Sequence, residues 1–422
     1  MTSTLANRIA DEYARVAQAL PESVVSAARR EHAIKVLLAE GLPIARDENW
    51  RYANLRALER VQFAPSEGAG ELVSAAALPA PIAGYIRHTY VDGVFAPALS
   101  GTRPAPAPLA TVARAPRSDE RFALLNDAFA SDVAAIRVAL GEAHNGNVEV
   151  LFIASAAGTR AASYPRLEVS VGAGARLNLI ERHLSVGSDA SFVNSAVLIE
   201  LARGASLTHF RVQQLAARAT WIDTLDATVD ADGSYQQHLV QLGALAARST
   251  YRVRLAGARA AVRLHALASA DQHQTKDAYA LTEHAAPHTV SEQLFRGIAA
   301  GRARVGFNGA VTVFPGAAGT DSRQSLRGLL AGPDAEIDVR PQLQINTDDV
   351  RCAHGATAGK LDDAMLFYLL SRGINPDIAQ QLLKWAFLAD VAAKIDVPEL
   401  RKSIERALAG RLDVAADLQE LL

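Results

Sequence analysis

The chain has one cysteine, Cys352, in 422 residues, so it cannot form an internal disulfide. A reducing compartment fits that absence. Charge of one sign is also missing, because 43 basic residues against 45 acidic ones leave a formal net charge of -2. The whole-chain field gives no reason to expect nucleic acid or an anionic membrane as partner. No apolar run reaches the roughly 18 residues of a membrane span, and MTSTLANRIADEYARV lacks the apolar centre of a secretion signal. A cytoplasmic protein is the expectation. Three catalytic signatures are absent as well: a Gly-x-Ser-x-Gly nucleophile turn, a Cys-x-x-Cys pair and a Gly-x-Gly-x-x-Gly loop opening a βαβ unit. The run HGATAGKL, His354 to Leu361, imitates a phosphate loop, but three residues rather than four separate its glycines. Leu361 also stands where a Mg²⁺-binding hydroxyl belongs. Nucleotide hydrolysis by this chain is not expected.

Half of the residues are apolar, enough for a large core and more than one structural region. Residues 1–64 read as helical: Ile9, Tyr13, Val16 and Leu20 recur at steps of three and four, and AARREHAIKVLLAE resumes the pattern before Gly41 and Pro43 stop it. Trp50 and Tyr52 then supply two large packing anchors. Residues 65–147 form a Pro/Ala-rich connection with short strands and a helix, since proline lacks the donor that regular structure needs. From 148 to 360 short alternating strands are separated by glycine turns. A weak repeat, aligned on Gly174, Gly204, Gly233 and Gly257, points to stacked strand units in a β-helix, with a β-sandwich as the alternative. Residues 361–422 return to the helical period, with Asp362 and Asn375-Pro376 as helix starts.

Cys352 and His354 are the best candidate chemical pair. Two residues apart on a strand, they share one face. An iron-sulfur cluster normally takes four protein ligands, so a site built on these two must be completed by another protein. A lone cysteine also serves as a small core residue, and that reading stays open. His284 and His288 have a helical metal-site spacing, but Pro287 lies between them and makes core or turn roles the expectation. Asp223, Asp226, Asp230 and Asp232 would be the acid-base group of a carbohydrate-active β-helix enzyme, the competing function. In TLDATVDADG they read more simply as turn and solvent-facing residues. The helix beginning at Pro376 is apolar almost all round, including Leu382 and Trp385, more than a short tail buries alone. A partner surface is expected there.

The segment PQLQINTDDVRCAHGATAGKLDDAMLFYLLSRGI resembles the C-terminal signature of the SufB/SufD family of iron-sulfur cluster assembly proteins, in its SufD form. GLPIARDENWRYANLRAL, PRLEVSVGAGARLNLIERH, HAAPHTVSEQLFRGI and VGFNGAVTVFPGAAGTDSRQSLRGLLAGPDAEID extend the likeness over nearly the whole chain. The resemblance implies a mainly β protein: a right-handed parallel β-helix flanked by N-terminal and C-terminal helical domains. It implies a scaffold without its own nucleotide, pairing with SufB and docking the ATPase SufC, with Leu382 and Trp385 on the SufC side. It further implies a transient iron-sulfur cluster shared with SufB, for which His354 is the first ligand and Cys352 the second. SufB carries additional cysteines, so a single one fits the SufD form. Whether the isolated chain forms a homodimer is left open.

Overall fold

The computed structural model describes residues 4–44, 46–53, 55, 58, 64–65, 73–101, 120–140, 145–155 and 161–412. The alternating pattern becomes strands that pass back and forth between two sheets. Sheet one includes Phe192–Leu201, Thr220–Val229, Ala246–Leu255, Thr275–His284, Arg304–Val313 and Glu336–Ile345. Sheet two includes Asn145–Ala154, Arg176–Ser185, Ser206–Gln214, Ser234–Gln241, Ala261–Ala270, Val290–Ala299, Thr320–Leu330 and Val350–Gly359. Neighbours along both runs are parallel. Consecutive strands lie in opposite sheets while each pairs with the strand one coil away, which is a parallel β-solenoid and excludes the sandwich. Register joins Arg176, Ser206, Ser234, Ala261 and Val290 in successive rungs, a coil of about 30 residues. Within the Pro/Ala-rich stretch, Ile86–Val91 pairs in parallel with Asn145–Ala154 and so belongs to sheet two.

One corner of the solenoid explains the repeat and its drift. Gly174, Gly204, Asp232, Arg259, His288 and Gly319 all have positive φ. Each donates its backbone N–H to a carbonyl one coil on, at 2.7 to 3.1 Å: Arg203, Ala231, Ala258, Pro287, Ala318 and Asp349 in turn. The glycine alignment slips because Asp232 and Arg259, not Gly233 and Gly257, hold the left-handed positions; Arg259 grips Asp232 through two hydrogen bonds of 2.6 and 2.9 Å. Gly257 serves close stacking instead, since a Cβ there would lie 1.9 Å from the Ala231 nitrogen. Gly257→Ala is expected to destabilise the protein by about 1–3 kcal/mol or more, read as a lowered melting temperature; an unchanged melt would refute the tight stack.

Period two sends Leu177, Leu179, Leu207, Val197, Ile199, Leu225, Val229 and Val253 into the lumen, where they form one continuous apolar cluster. Helices α1 (Thr4–Val16), α2 (Ala27–Glu40) and α3 (Arg121–Phe129) lie by sheet one. Ile34, Leu37, Phe122 and Phe129 form an apolar cluster with Phe192 and Ile222 of that sheet. Trp50 is buried there, with its ring against Phe122 and under the Arg248 guanidinium. Helices α4 (Asp363–Ser371), α5 (Pro376–Ala392) and α6 (Pro398–Arg411) follow the last strand. Trp385, Leu388 and Val391 of α5 pack on Phe210, Val212, Val240, Leu267 and Leu294, the outer face of sheet two, and Asp390 pairs with Arg296 at 2.8 Å. Much of the apolar surface of α5 is thus covered by the chain's own solenoid.

The last coil is different. Among the described residues, Glu336–Ile345 pairs only with Arg304–Val313, and Val350–Gly359 only with Thr320–Leu330. No residue of Val350–Gly359 is buried, and Ile345 is exposed. Both sheets therefore end here in an open edge, the backbone state most prone to pair with another chain.

Candidate functional site

Cys352 and His354 sit on that open coil. Their strand follows the turn after Ile345 and is held by register: Ser322 lies beside Cys352, and Gln324 beside His354. Ser322 and Gln324 are buried, and both continue an inward-facing file that runs through Ser291 and Gln293 one coil earlier. The shared face expected from the spacing is therefore the lumen face, at its mouth. Cys352 is half-buried against the cluster of Val311, Val313 and Ala317, so it acts partly as the small core residue that the bland reading required. Burial pushes its thiol above the usual range, and the Asp321 carboxylate pushes it further, against a weaker backbone hydrogen bond from Ser322. A thiol raised in this way holds less of the thiolate form that ligates metal. His354 is exposed and offers a ring nitrogen without any comparable burial. No group of three or more potential ligands from His, Cys, Asp and Glu gathers among the described residues.

The other candidates scatter. His284 is buried, with Nδ1 2.7 Å from Thr289 Oγ1 and Nε2 2.8 Å from Ser291 Oγ; burial lowers its pKa to about 4. His288 is a corner residue with φ of 58°. The four aspartates do not converge either. Asp226 pairs with Arg252, Asp230 caps the Ala231 N–H at 2.7 Å, and Asp232 holds Arg259.

Asp223 overturns its expected solvent-facing role: it is wholly buried and 2.8 Å from Arg211. Asp223 and Asp226 are three apart on one strand, so the period of two forces them to opposite faces. Arg211 also bonds Glu181 at 2.8 Å, and Glu181 receives His183 at 2.6 Å and His209 at 3.0 Å. Burial alone would raise the Glu181 carboxyl; the Arg211 charge and the hydrogen bonds from Arg211, His183 and His209 hold it well below the usual range. Glu181 and His183 share a face by spacing, but Arg211 joins Glu181 only through coil register and Asp223 only across the lumen, so the network escaped the sequence reading.

At the far side of the open coil, Asp362 caps α4 by accepting the N–H groups of Ala364 and Met365 at 2.8 and 3.0 Å. No residue of α4 is buried, and Met365, Phe367, Tyr368 and Leu370 are all exposed, Phe367 by 71%. Sequence reasoning assigned the partner surface to Leu382 and Trp385. In the structure Trp385 faces the solenoid, and Leu382 is half-buried.

Residues 152–387 match the family described as SUF system FeS cluster assembly, SufBD core domain. The chain belongs to that family. The match covers most of the solenoid, the open coil and most of α5, so the Cys352–His354 strand lies inside the matched region. Over 392 residues the chain is 29% identical to the iron-sulfur cluster assembly protein SufD of Escherichia coli K12, covering 90% of this chain and 91% of that one. A SufBD family protein of Synechocystis is 26% identical over 91% of this chain and 90% of its own. A further SufBD family protein, from Mycobacterium tuberculosis, is 29% identical over 62% of this chain and 67% of its own. The expected likeness to SufD and the expected parallel β-solenoid between terminal helices both hold. A role in iron-sulfur cluster assembly follows. Among the described residues, no helix is long and apolar enough to cross a membrane.

Proposed function

We propose that this SufBD protein is a cytoplasmic, non-enzymatic scaffold subunit that pairs with a SufB-type subunit and docks a SufC-type ATPase. The observation that carries the reading is the open terminal coil, with two sheet edges unpaired among the described residues and its Cys352–His354 pair at the lumen mouth. Pairing covers those edges with a second solenoid, and brings partner thiolates to the mouth. The nascent cluster is cargo shared across the interface: His354 ligates iron through a neutral ring nitrogen, Cys352 follows as thiolate, and the partner supplies the remaining ligands. The raised thiol of Cys352 supports that order, because its proton must leave before it binds.

The ATPase side is α4 with α5 beneath it. Exposed Met365, Phe367, Tyr368 and Leu370 supply an apolar docking face, while Leu382 and Trp385 support the helical layer that carries it. ATP hydrolysis in the SufC-type subunit then moves this layer and reshapes the adjoining coil. The test is co-expression of the chain with SufB-type and SufC-type subunits, followed by affinity capture. Wild type is expected to carry both partners and to accumulate cluster only in their company. Phe367→Asp with Leu370→Asp should cut ATPase capture by roughly 10-fold or more, the size expected when an apolar hot spot is lost, with the SufB-type subunit retained. Full ATPase capture by the folded double variant would overturn the docking assignment.

A further inference from the structure

We propose that Gln324 is a positioning residue for His354, accepting one ring N–H so that the opposite ring nitrogen is presented to iron. The inference rests on the reading of His354 as a ligand and adds how its ring is held.

Besides its apolar cluster and the Arg211 charge network, the lumen carries a file of amides in register in its last coils. Gln293 pairs with Gln324, and Gln324 with His354, on adjacent parallel strands. Gln293 Nε2 lies 3.2 Å from Thr282 Oγ1 and 3.3 Å from the carbonyls of Ala280 and Ala310. Gln324 Nε2 donates to Gln293 Oε1 and to the Gly309 carbonyl, both at 2.8 Å. These two acceptors fix the amide orientation, since a flipped Gln324 would set oxygen against oxygen. Gly309 is part of the device: a Cβ there would lie 2.3 Å from Gln293 Oε1 and 2.9 Å from Gln324 Nε2.

Gln324 is 4% exposed, yet its Oε1 has no hydrogen-bond partner. In a stacked amide ladder the donors point one way and the acceptors the other. Here the donors point back to Gln293, which leaves the acceptor for the next rung, the rung of His354. Metal-binding histidines characteristically donate their second ring N–H to a carbonyl or carboxylate, which sets tautomer and orientation. A buried amide oxygen without a donor, one rung below an exposed imidazole, meets that requirement.

The experiment uses the full chain with ¹⁵N-labelled histidine, His354 being assigned by the signal lost in His354→Gln. Long-range ¹H–¹⁵N correlations are expected to show one dominant His354 tautomer in wild type and a mixture in Gln324→Met, which keeps bulk but removes the acceptor. In the complex with the SufB-type subunit, cobalt(II) serves as probe, and Gln324→Met should weaken its binding by roughly 10-fold or more. Gly309→Ala, which displaces the amides without deleting them, should act in the same direction and gives an independent reading if Gln324→Met does not fold. Unchanged tautomer and cobalt affinity in the folded variants would overturn the inference. If His354→Ala weakens cobalt binding while Gln324→Met does not, only the positioning role fails. If His354→Ala is itself silent, the ligand reading fails.

Discussion

Replacing His354 with alanine is expected to abolish cluster build-up by the assembled complex while leaving the fold and the complex intact. His354 is exposed on a strand that no further coil covers among the described residues, so its side chain contributes little to stability, within about 0.5 kcal/mol for a substitution of this kind. Its chemical loss is much larger. Removing even a residue that orients a metal ligand typically costs about 10–100-fold in affinity, and deleting the ligand itself costs at least as much. The complex would be purified without oxygen, and cluster content followed by visible absorbance together with iron and sulfide analysis. Cys352→Ala should have the smaller effect, because burial and Asp321 raise its thiol and so leave less thiolate to bind. Normal cluster content in the His354→Ala complex would sink the ligand assignment. A greater loss in Cys352→Ala than in His354→Ala would reverse their order.

Arg211→Met is expected to bring the protein close to unfolding, although Arg211 lies five rungs from the strand at the open mouth. Its guanidinium makes four hydrogen bonds of 2.8 Å, two to Glu181 and two to Asp223, all inside the lumen. Without it the buried Glu181 and Asp223 carboxylates lose the guanidinium they share. Breaking a buried pair by removing one partner costs about 3–5 kcal/mol, against a typical total stability of about 5–15 kcal/mol. Arg211→Lys should recover only part of the loss, since one ammonium cannot hold both carboxylates in the bidentate geometry. Replacing all three charged residues by apolar ones should recover more than Arg211→Met alone, because the unpaired charges leave with their partner. Denaturant unfolding of the three variants checks the order, and a near-wild-type midpoint for Arg211→Met would refute the network's structural role.

These two predictions differ in how far each was legible in the residues. The Cys352–His354 pair could be found from spacing alone, because strand geometry places alternate residues on one face whatever the fold. The same holds for the helix starts: Asp362 and Asn375 cap α4 and α5 through N–H groups two or three residues away. Arg211, Glu181 and Asp223 could not be grouped in this way. They are brought together by register, Arg211 beside Glu181 one coil earlier and Asp223 across the lumen, and a polar residue in an alternating strand carries no local mark of which face is inward. The glycine repeat shows the same limit, since Asp232 and Arg259 took corner positions that the alignment had assigned to glycine.

The helical tail makes the contrast plainest. Its composition showed a surplus of apolar surface, and a partner was the reasonable owner of it. The solenoid's own outer face claims Trp385, Leu388 and Val391, and the residues left in solvent are those of α4. Sequence alone determined the local facts of this protein: alternating strands, turn positions, capped helices, a single thiol two residues from an imidazole, and the family to which such a signature belongs. Only the tertiary structure decided that the thiol and imidazole face the lumen at an open end, that Gln324 lies one rung beneath His354, and which helix face is free. The reason is physical. Periodicity is written within a few residues, whereas each rung of the solenoid is set by hydrogen bonds to a strand about 30 residues away.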